Sequence, residues 1–285
     1  MLFTETSSMK FITNTGSDGT ETKIFYEDLG QGRPVILVHG WPLDHTMWDY
    51  QVASLTDAGF RCIAYDRRGF GKSNKPLIGY DYDTLTSDLK VLIDELQLEN
   101  AVLIGFSMGG GEVVKYFSKY GGQGVTKAVL ISSIAPYMLQ TEDNPDGVPQ
   151  EQLDEIVESI QKDRPGFLGD FGKQFYGVGL LNHPVSEQRL TSDLICAMQA
   201  TLKSTLQCAA SFSSTDLRQD MAAVNVPTLI IHGDKDQTVP IKATGEQAAQ
   251  LISGSKFIVY EGEPHGLYIT AKDQLNSDLI EFINQ

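Results

Sequence analysis

The chain has 285 residues, 41% hydrophobic and 21% charged, which suits one large domain or one domain carrying an insertion. Its 37 acidic and 22 basic residues give a net charge of −15, which argues against nucleic acid or an anionic membrane as partner and favours neutral over polyanionic substrates. No apolar run approaches the roughly 20 residues of a membrane span, and MLFTETSSMK lacks the features of a signal peptide, so the cytoplasm is the expected location.

Met9 is an alternative start to Met1, leaving 1–8 as a short extension. The first predicted element is an antiparallel hairpin, in which KFITNT and TETKIFYED flank the turn-forming cluster Gly16-Ser17-Asp18-Gly19. Short, nearly continuous apolar runs follow at 35–38, 62–65, 101–104, 128–131, 228–231 and 256–260, as expected of strands buried on both faces of a parallel sheet. Helical stripes separate them, one of Leu85, Leu89, Leu92, Ile93 and Leu96 and another of Leu275, Leu279, Ile280 and Ile283. Strand alternating with helix predicts an α/β, mostly parallel, doubly wound sheet with the first hairpin at its antiparallel edge.

One stretch breaks that rhythm. From 137 to 220 no strand is evident, while helical spacing recurs at Leu153, Ile156, Val157 and Ile160, then at Leu190, Leu194, Ile195, Met198 and Leu202. This predicts a helical cap inserted into a single domain whose core is 1–136 and 221–285. The cysteines Cys62, Cys196 and Cys208 have no CxxC spacing and read as small apolar groups in a reduced compartment.

The strongest chemical signal is Gly105-Phe106-Ser107-Met108-Gly109, which follows an apolar strand and opens a predicted helix over 110–120. Glycines there permit a sharp turn that exposes the Ser107 hydroxyl, and the helix N-terminus presents free N–H groups to a developing oxyanion. Serine needs a base. Among His39, His45, His183, His232 and His265, the last lies in the Glu263-Pro264-His265-Gly266 loop after the final strand, where catalytic groups of such sheets collect. His39 reads as a loop organiser and His232 as pointing into a turn. The acid should follow the 228–231 strand, where Asp234 reads as a turn holder and Asp236, further out, as the orienting carboxylate. The two oxyanion donors should be the backbone N–H groups of Met108 and Trp41, since Pro42 has none.

HGWPLD, YDRRGFGKS, GFSMGGGE, DMAAVNVPTLIIHGDKDQTVP and PHG, in that order, resemble the α/β-hydrolase family of bacterial aryl esterases and cofactor-free haloperoxidases, or perhydrolases, from about residue 10 to the end. The resemblance places the triad on Ser107, Asp236 and His265, selecting Asp236 over Asp234, and the oxyanion donors on Trp41 and Met108. It implies an acyl pocket lined by Ile134, Met138, Phe171, Phe175 and Phe212, with Thr238 and Val239 beside the acid and Pro42 next to the oxyanion tryptophan. It further implies a small neutral ester substrate, hydrogen peroxide as a second substrate, no cofactor, and a possible homo-oligomer. Family members with strong perhydrolase activity tend to carry proline at the position of Pro42.

Related folds with an aspartate nucleophile are set aside because residue 107 is serine. No histidine pair has metal-ligand spacing with a nearby carboxylate, and the glycines around Ser107 lack GxGxxG order, so neither a metal nor a dinucleotide is expected. A γ-lactamase is the alternative enzyme, and a non-catalytic ligand receptor on a hydrolase fold the alternative from another class. Turnover of a generic aryl ester separates the receptor from the enzymes.

Overall fold

The computed structural model describes residues 9–16 and 19–285; the extension 1–8 and the turn residues Ser17 and Asp18 lie outside them. Eight strands form one sheet. They are β1 Lys10–Thr15, β2 Glu21–Gly30, β3 Pro34–Val38, β4 Arg61–Tyr65, β5 Ala101–Phe106, β6 Val125–Ile131, β7 Thr228–Gly233 and β8 Lys256–Tyr260. Their spatial order is β1-β2-β4-β3-β5-β6-β7-β8. The β1–β2 and β2–β4 pairs are antiparallel and all others parallel.

The helices are α1 Asp49–Asp57, α2 Tyr82–Glu95, α3 Met108–Tyr120, α4 Gln150–Phe175, α5 Glu187–Met198, α6 Leu202–Ser214, α7 Gly245–Leu251, α8 Leu267–Thr270 and α9 Lys272–Asn284. Every residue of β5 and β7 is buried, which is why these runs are apolar without alternation. Alternate side chains still divide between two cores. Ile36, Leu103 and Leu130 pack with Leu85, Leu89 and Val113 of α2 and α3 on one face. Val35, Leu37, Val102 and Val129 pack with Leu55 of α1 and with Leu275, Leu279 and Ile283 of α9 on the other. Among the described residues no helix is long and apolar enough to cross a membrane.

Between β6 and β7 the chain makes α4, α5 and α6 and only isolated bridges, Leu139 to Val148 and Thr141 to Asn144. α4 is kinked at Asp163 (φ −155°, ψ 83°), two residues before Pro165, whose ring cannot sit in an unbroken helix. The apolar spacing through 190–202 spans two helices rather than one. Thr201 starts α6 with a reciprocal cap: its hydroxyl accepts from the Ser204 N–H at 3.0 Å, and the Ser204 hydroxyl accepts from the Thr201 N–H at 3.0 Å. Ile195 and Leu202 of that stripe are consequently exposed.

The three cysteines are free; Cys62 and Cys208 are buried and Cys196 is half-buried. Burial pushes the Cys62 and Cys208 thiols up to about 12, so neither is a thiolate at neutral pH.

The crossing of β3, β5 and α3 is tight. A Cβ on Gly105 would stand 2.5 Å from the Gly109 carbonyl oxygen, and one on Gly109 would stand 2.5 Å from the Val38 oxygen. Backbone cannot retreat as a flexible side chain can. Gly109→Ala is therefore expected to lower unfolding free energy by about 1–3 kcal/mol in urea titration. An unchanged midpoint would show that the crossing has slack.

Candidate active site

Ser107 joins β5 to α3 with φ 52° and ψ −118°, a left-handed conformation for a residue with a side chain. Such a conformation costs about 1–3 kcal/mol and persists only where the surroundings impose it. Three hydrogen bonds do so: Ser107 N–H to the Ile131 oxygen (2.9 Å), and Gly110 and Ile134 N–H groups to the Ser107 oxygen (3.0 and 3.3 Å). The hydroxyl is thereby directed at His265, with Oγ 3.0 Å from Nε2. His265 follows β8, is 1% exposed, and is gripped by the rings of Phe106 and Phe175 at 4.9 and 4.8 Å between centroids.

His265 Nδ1 lies 2.6 Å from Asp236 Oδ2. The Asp236 side chain is fully buried, and its Oδ1 accepts from the N–H groups of Thr238 (2.9 Å) and Val239 (2.8 Å). Burial opposes ionisation, but His265 and His232 beside the carboxyl outweigh it and hold it well below the usual carboxylate range. Asp234 does a different job: its Oδ1 accepts from the Gly262 N–H at 2.7 Å, tying the turn after β7 to the turn after β8. The structure thus brings Ser107, His265 and Asp236 into one chain of contacts and leaves Asp234 outside it.

The remaining histidines are committed elsewhere or exposed. His232 is fully buried, with Nε2 3.0 Å from the Val239 oxygen and 3.2 Å from Asp236 Oδ2. The hydrogen-bond geometry favours the Val239 oxygen, so His232 braces the acid's turn; the sequence reading missed its closeness to the carboxylate. His39 Nε2 accepts from the Arg67 N–H at 2.9 Å while Nδ1 is 2.9 Å from the Gly40 oxygen, an arrangement of the neutral ring protonated on Nδ1. Burial, with Arg67 nearby, pushes its pKa well down, in keeping with that form. His183 is exposed.

The loop after β3 passes directly beside Ser107. A Cβ on Gly40 would lie 2.5 Å from the Phe106 ring and 3.3 Å from Ser107 Cβ, so only glycine fits. Beneath the loop, Arg67 donates from Nη2 to the His39 oxygen (2.6 Å) and from Nε to Glu112 Oε1 (2.6 Å), while Tyr65 donates to Glu112 Oε2 (2.8 Å). Burial pushes the Glu112 carboxyl up against the pull of Arg67. Next in the loop, the Trp41 indole donates to the Thr205 oxygen at 3.1 Å and packs edge-on against Phe171 and Phe212. The Trp41–Pro42 peptide is cis. Met108 opens α3, where the first-turn N–H groups have no partner inside the helix.

Ser107 opens into a cavity of about 480 Å³ lined by Trp41, Ile134, Met138, Val148, Leu153, Ile156, Phe171, Phe212, Thr238 and Val239. Val148, Leu153 and Ile156 were not expected in it; Leu153 and Ile156 belong to a stripe that read as ordinary helix packing.

Two expected pocket residues lie elsewhere. Pro42 and Phe175 line a second apolar cavity, of about 330 Å³, that shares Phe171 with the first. Phe175 is 3% exposed and packs edge-on against His265, because the last turn of α4 directs it inward between Phe106 and Tyr268.

Asp44, His45 and Asp66 form a buried group with metal-like spacing. Asp66 accepts from His45 N–H and faces its Nδ1 through Oδ1 and accepts from Lys72 N–H through Oδ2, while Asp44 Oδ1 accepts from both the amide and hydroxyl of Thr46, so these groups brace the turn that follows β3.

A family model for the alpha/beta hydrolase fold matches residues 33–272. With the sheet order and the strained serine after β5, this places the chain in the α/β-hydrolase family. The chain is 40% identical over 273 residues to a non-heme chloroperoxidase of Kitasatospora aureofaciens, covering 95% of this chain and 98% of that one. It is 39% identical over 272 residues to a bifunctional esterase/perhydrolase of Acinetobacter calcoaceticus, covering 94% and 98%. A bromoperoxidase structure from Bacillus anthracis superposes with a TM-score of 0.92 at 42% identity, covering 97% of this chain and 100% of that one. Its relatives within the family thus include non-heme haloperoxidases and an esterase/perhydrolase.

The ion pair under the loop generates a prediction. Arg67→Met leaves Glu112 buried without its charge partner and should cost about 3–5 kcal/mol of unfolding free energy. Arg67→Met combined with Glu112→Leu should recover a large part of that loss. Equal losses in the single and double variants, measured by urea unfolding, would contradict this account.

Proposed function

We propose that this chain is a serine hydrolase of small neutral esters with short acyl groups, working through an acyl-enzyme, with perhydrolase activity toward hydrogen peroxide. The observation that carries the reading is the unbroken run of contacts from Ser107 Oγ to His265 Nε2 (3.0 Å) and from His265 Nδ1 to Asp236 Oδ2 (2.6 Å). The names of the esterase/perhydrolase and haloperoxidase relatives support the same activities.

In this reading Ser107 Oγ attacks the ester carbonyl and its proton passes to His265 Nε2. Asp236, kept ionised, holds the Nδ1 proton and stabilises the imidazolium. The tetrahedral oxyanion is received by the N–H groups of Trp41 and Met108. His265 then gives its proton to the departing alcohol, leaving the acyl group on Ser107. Water attacks that ester, losing a proton to His265, and the carboxylic acid departs as Ser107 regains its hydrogen. Hydrogen peroxide attacking instead releases the peracid, which oxidises bromide to hypobromite in solution and returns to the carboxylate. Residues 137–220 act as the cap, supplying Phe171 and Phe212 to an acyl cavity suited to acetyl and propionyl rather than octanoyl groups.

The test of the reading is a panel of phenyl esters of rising acyl length, with Ser107→Ala alongside. Ser107→Ala should lower kcat by about 10⁶, and a fluorophosphonate probe should label Ser107 alone. Label at another residue, or substantial turnover by the variant, would refute the assignment.

The perhydrolase part has its own test. Proline at 42 fixes its own φ and restricts Trp41 before it, which holds the Trp41 carbonyl in one direction. A carbonyl directed at the attacking peroxide supplies a hydrogen bond worth about 1 kcal/mol, or several-fold in partition. Pro42→Leu should therefore lower the ratio of peracid formation to ester hydrolysis several-fold when both are assayed on one preparation. Equal changes in both rates would remove Pro42 from the mechanism.

A further inference from the structure

The cavity at Ser107 is apolar with few exceptions, and its polar side chains can be accounted for one by one. The Ser107 hydroxyl is engaged with His265. The Trp41 indole N–H is spent on the Thr205 oxygen. Ile134, Met138, Val148, Leu153, Ile156, Phe171, Phe212 and Val239 offer no hydrogen-bonding side chain. Thr238 remains. Its hydroxyl is fully buried and has no hydrogen-bond partner among the described residues.

Thr238 is also held in place. Its N–H donates to Asp236 Oδ1 at 2.9 Å, and the next residue donates to the same oxygen at 2.8 Å, so the backbone that carries the side chain is fixed by the acid. A buried hydroxyl without a partner is unfavourable in a folded protein, whereas valine has nearly the same shape and leaves nothing unpaired. Thr238 lines the cavity, so a ligand that fills it meets this side chain, and a site built around one such polar group discriminates strongly for ligands that complete its hydrogen bond.

We propose that Thr238 is a specificity-determining residue whose hydroxyl hydrogen-bonds a neutral oxygen on the acyl chain, making esters of short hydroxy- or oxo-acids the favoured substrate class. The inference rests on the reading of this site as a serine esterase that receives the acyl group in this cavity. A carboxylate in place of the neutral oxygen is disfavoured: the remaining lining provides no cation, and the protein carries a net charge of −15. The hydroxyl can both donate and accept, so it serves a hydroxy group as well as a keto group.

The test compares phenyl butyrate with phenyl 3-hydroxybutyrate and phenyl 3-oxobutyrate on wild type, Thr238→Val and Thr238→Ser. The readout is the ratio of kcat/KM for each oxygenated ester to that for the plain one. Thr238→Val should lower both ratios about 5- to 10-fold, the size of one lost hydrogen bond, and Thr238→Ser should keep them near wild type. Ratios that stay the same in Thr238→Val overturn the proposal, including the case where the hydroxyl serves only a bound water.

Thermal melting without substrate provides a second measurement. Thr238→Val should melt at or above the wild-type temperature, because it removes an unpaired buried group. A clear fall would show that the hydroxyl supports the fold, and would also overturn the proposal. Absence of hydrolysis of any of the three esters by wild type would instead refute the esterase reading, so the two failures are distinguishable.

Discussion

The arrangement depends on one strained residue. Ser107 sits at φ 52° where β5 meets α3, and the surrounding backbone must pack closely enough to keep it there. Gly40, Gly105 and Gly109 are glycines because β3, its following loop, β5 and the first turn of α3 leave no room for a Cβ. The same close approach brings the Gly40–Trp41 backbone alongside the serine. The strain, the course of the loop after β3 and the direction of the serine hydroxyl are therefore one packing solution.

Beneath that solution lies a polar network in place of apolar core. His39, Arg67, Glu112 and Tyr65 are all buried, and each hydrogen bond among them restrains the loop or the first turns of α3. A buried ion pair is a poor source of net stability, since desolvation offsets the attraction. Its service here is directional: it fixes where one carbonyl and one histidine ring point. The acid's side of the site is arranged alike, with two amides and two histidines around a carboxylate that never meets solvent.

The doubly wound sheet was legible because its strands are short apolar runs with no competing interpretation, and the glycine-flanked Ser107 followed one of them. Asp236 was preferred to Asp234 for its place further out in the turn, a choice the family resemblance reinforced; the two side chains go to different partners, His265 and the Gly262 N–H. The stretch between β6 and β7 was legible as helical but not in detail. Its stripe through 190–202 hides a break, because the Thr201–Ser204 cap is made of ordinary polar residues in an apolar pattern. Phe175 could not be told from Phe171 by spacing; four residues apart on one helix, one faces the cavity at Ser107 and the other the ring of His265. The nearness of His232 to Asp236 arises from the turn at 233–236, which periodicity does not encode.

Trp41 belongs to two parts of the molecule at once, with its backbone in the loop beside Ser107 and its indole bonded to Thr205 of α6 and packed on Phe171 of α4. The chain has only one other tryptophan, Trp48, which is fully buried against Phe106 and Tyr268 on the opposite face of the sheet. The two indoles form a natural optical pair, a reporter and an internal reference. Displacement of the helices that touch Trp41 would alter its emission and leave that of Trp48 in place, so the unmodified protein carries its own fluorescence gauge of access to Ser107.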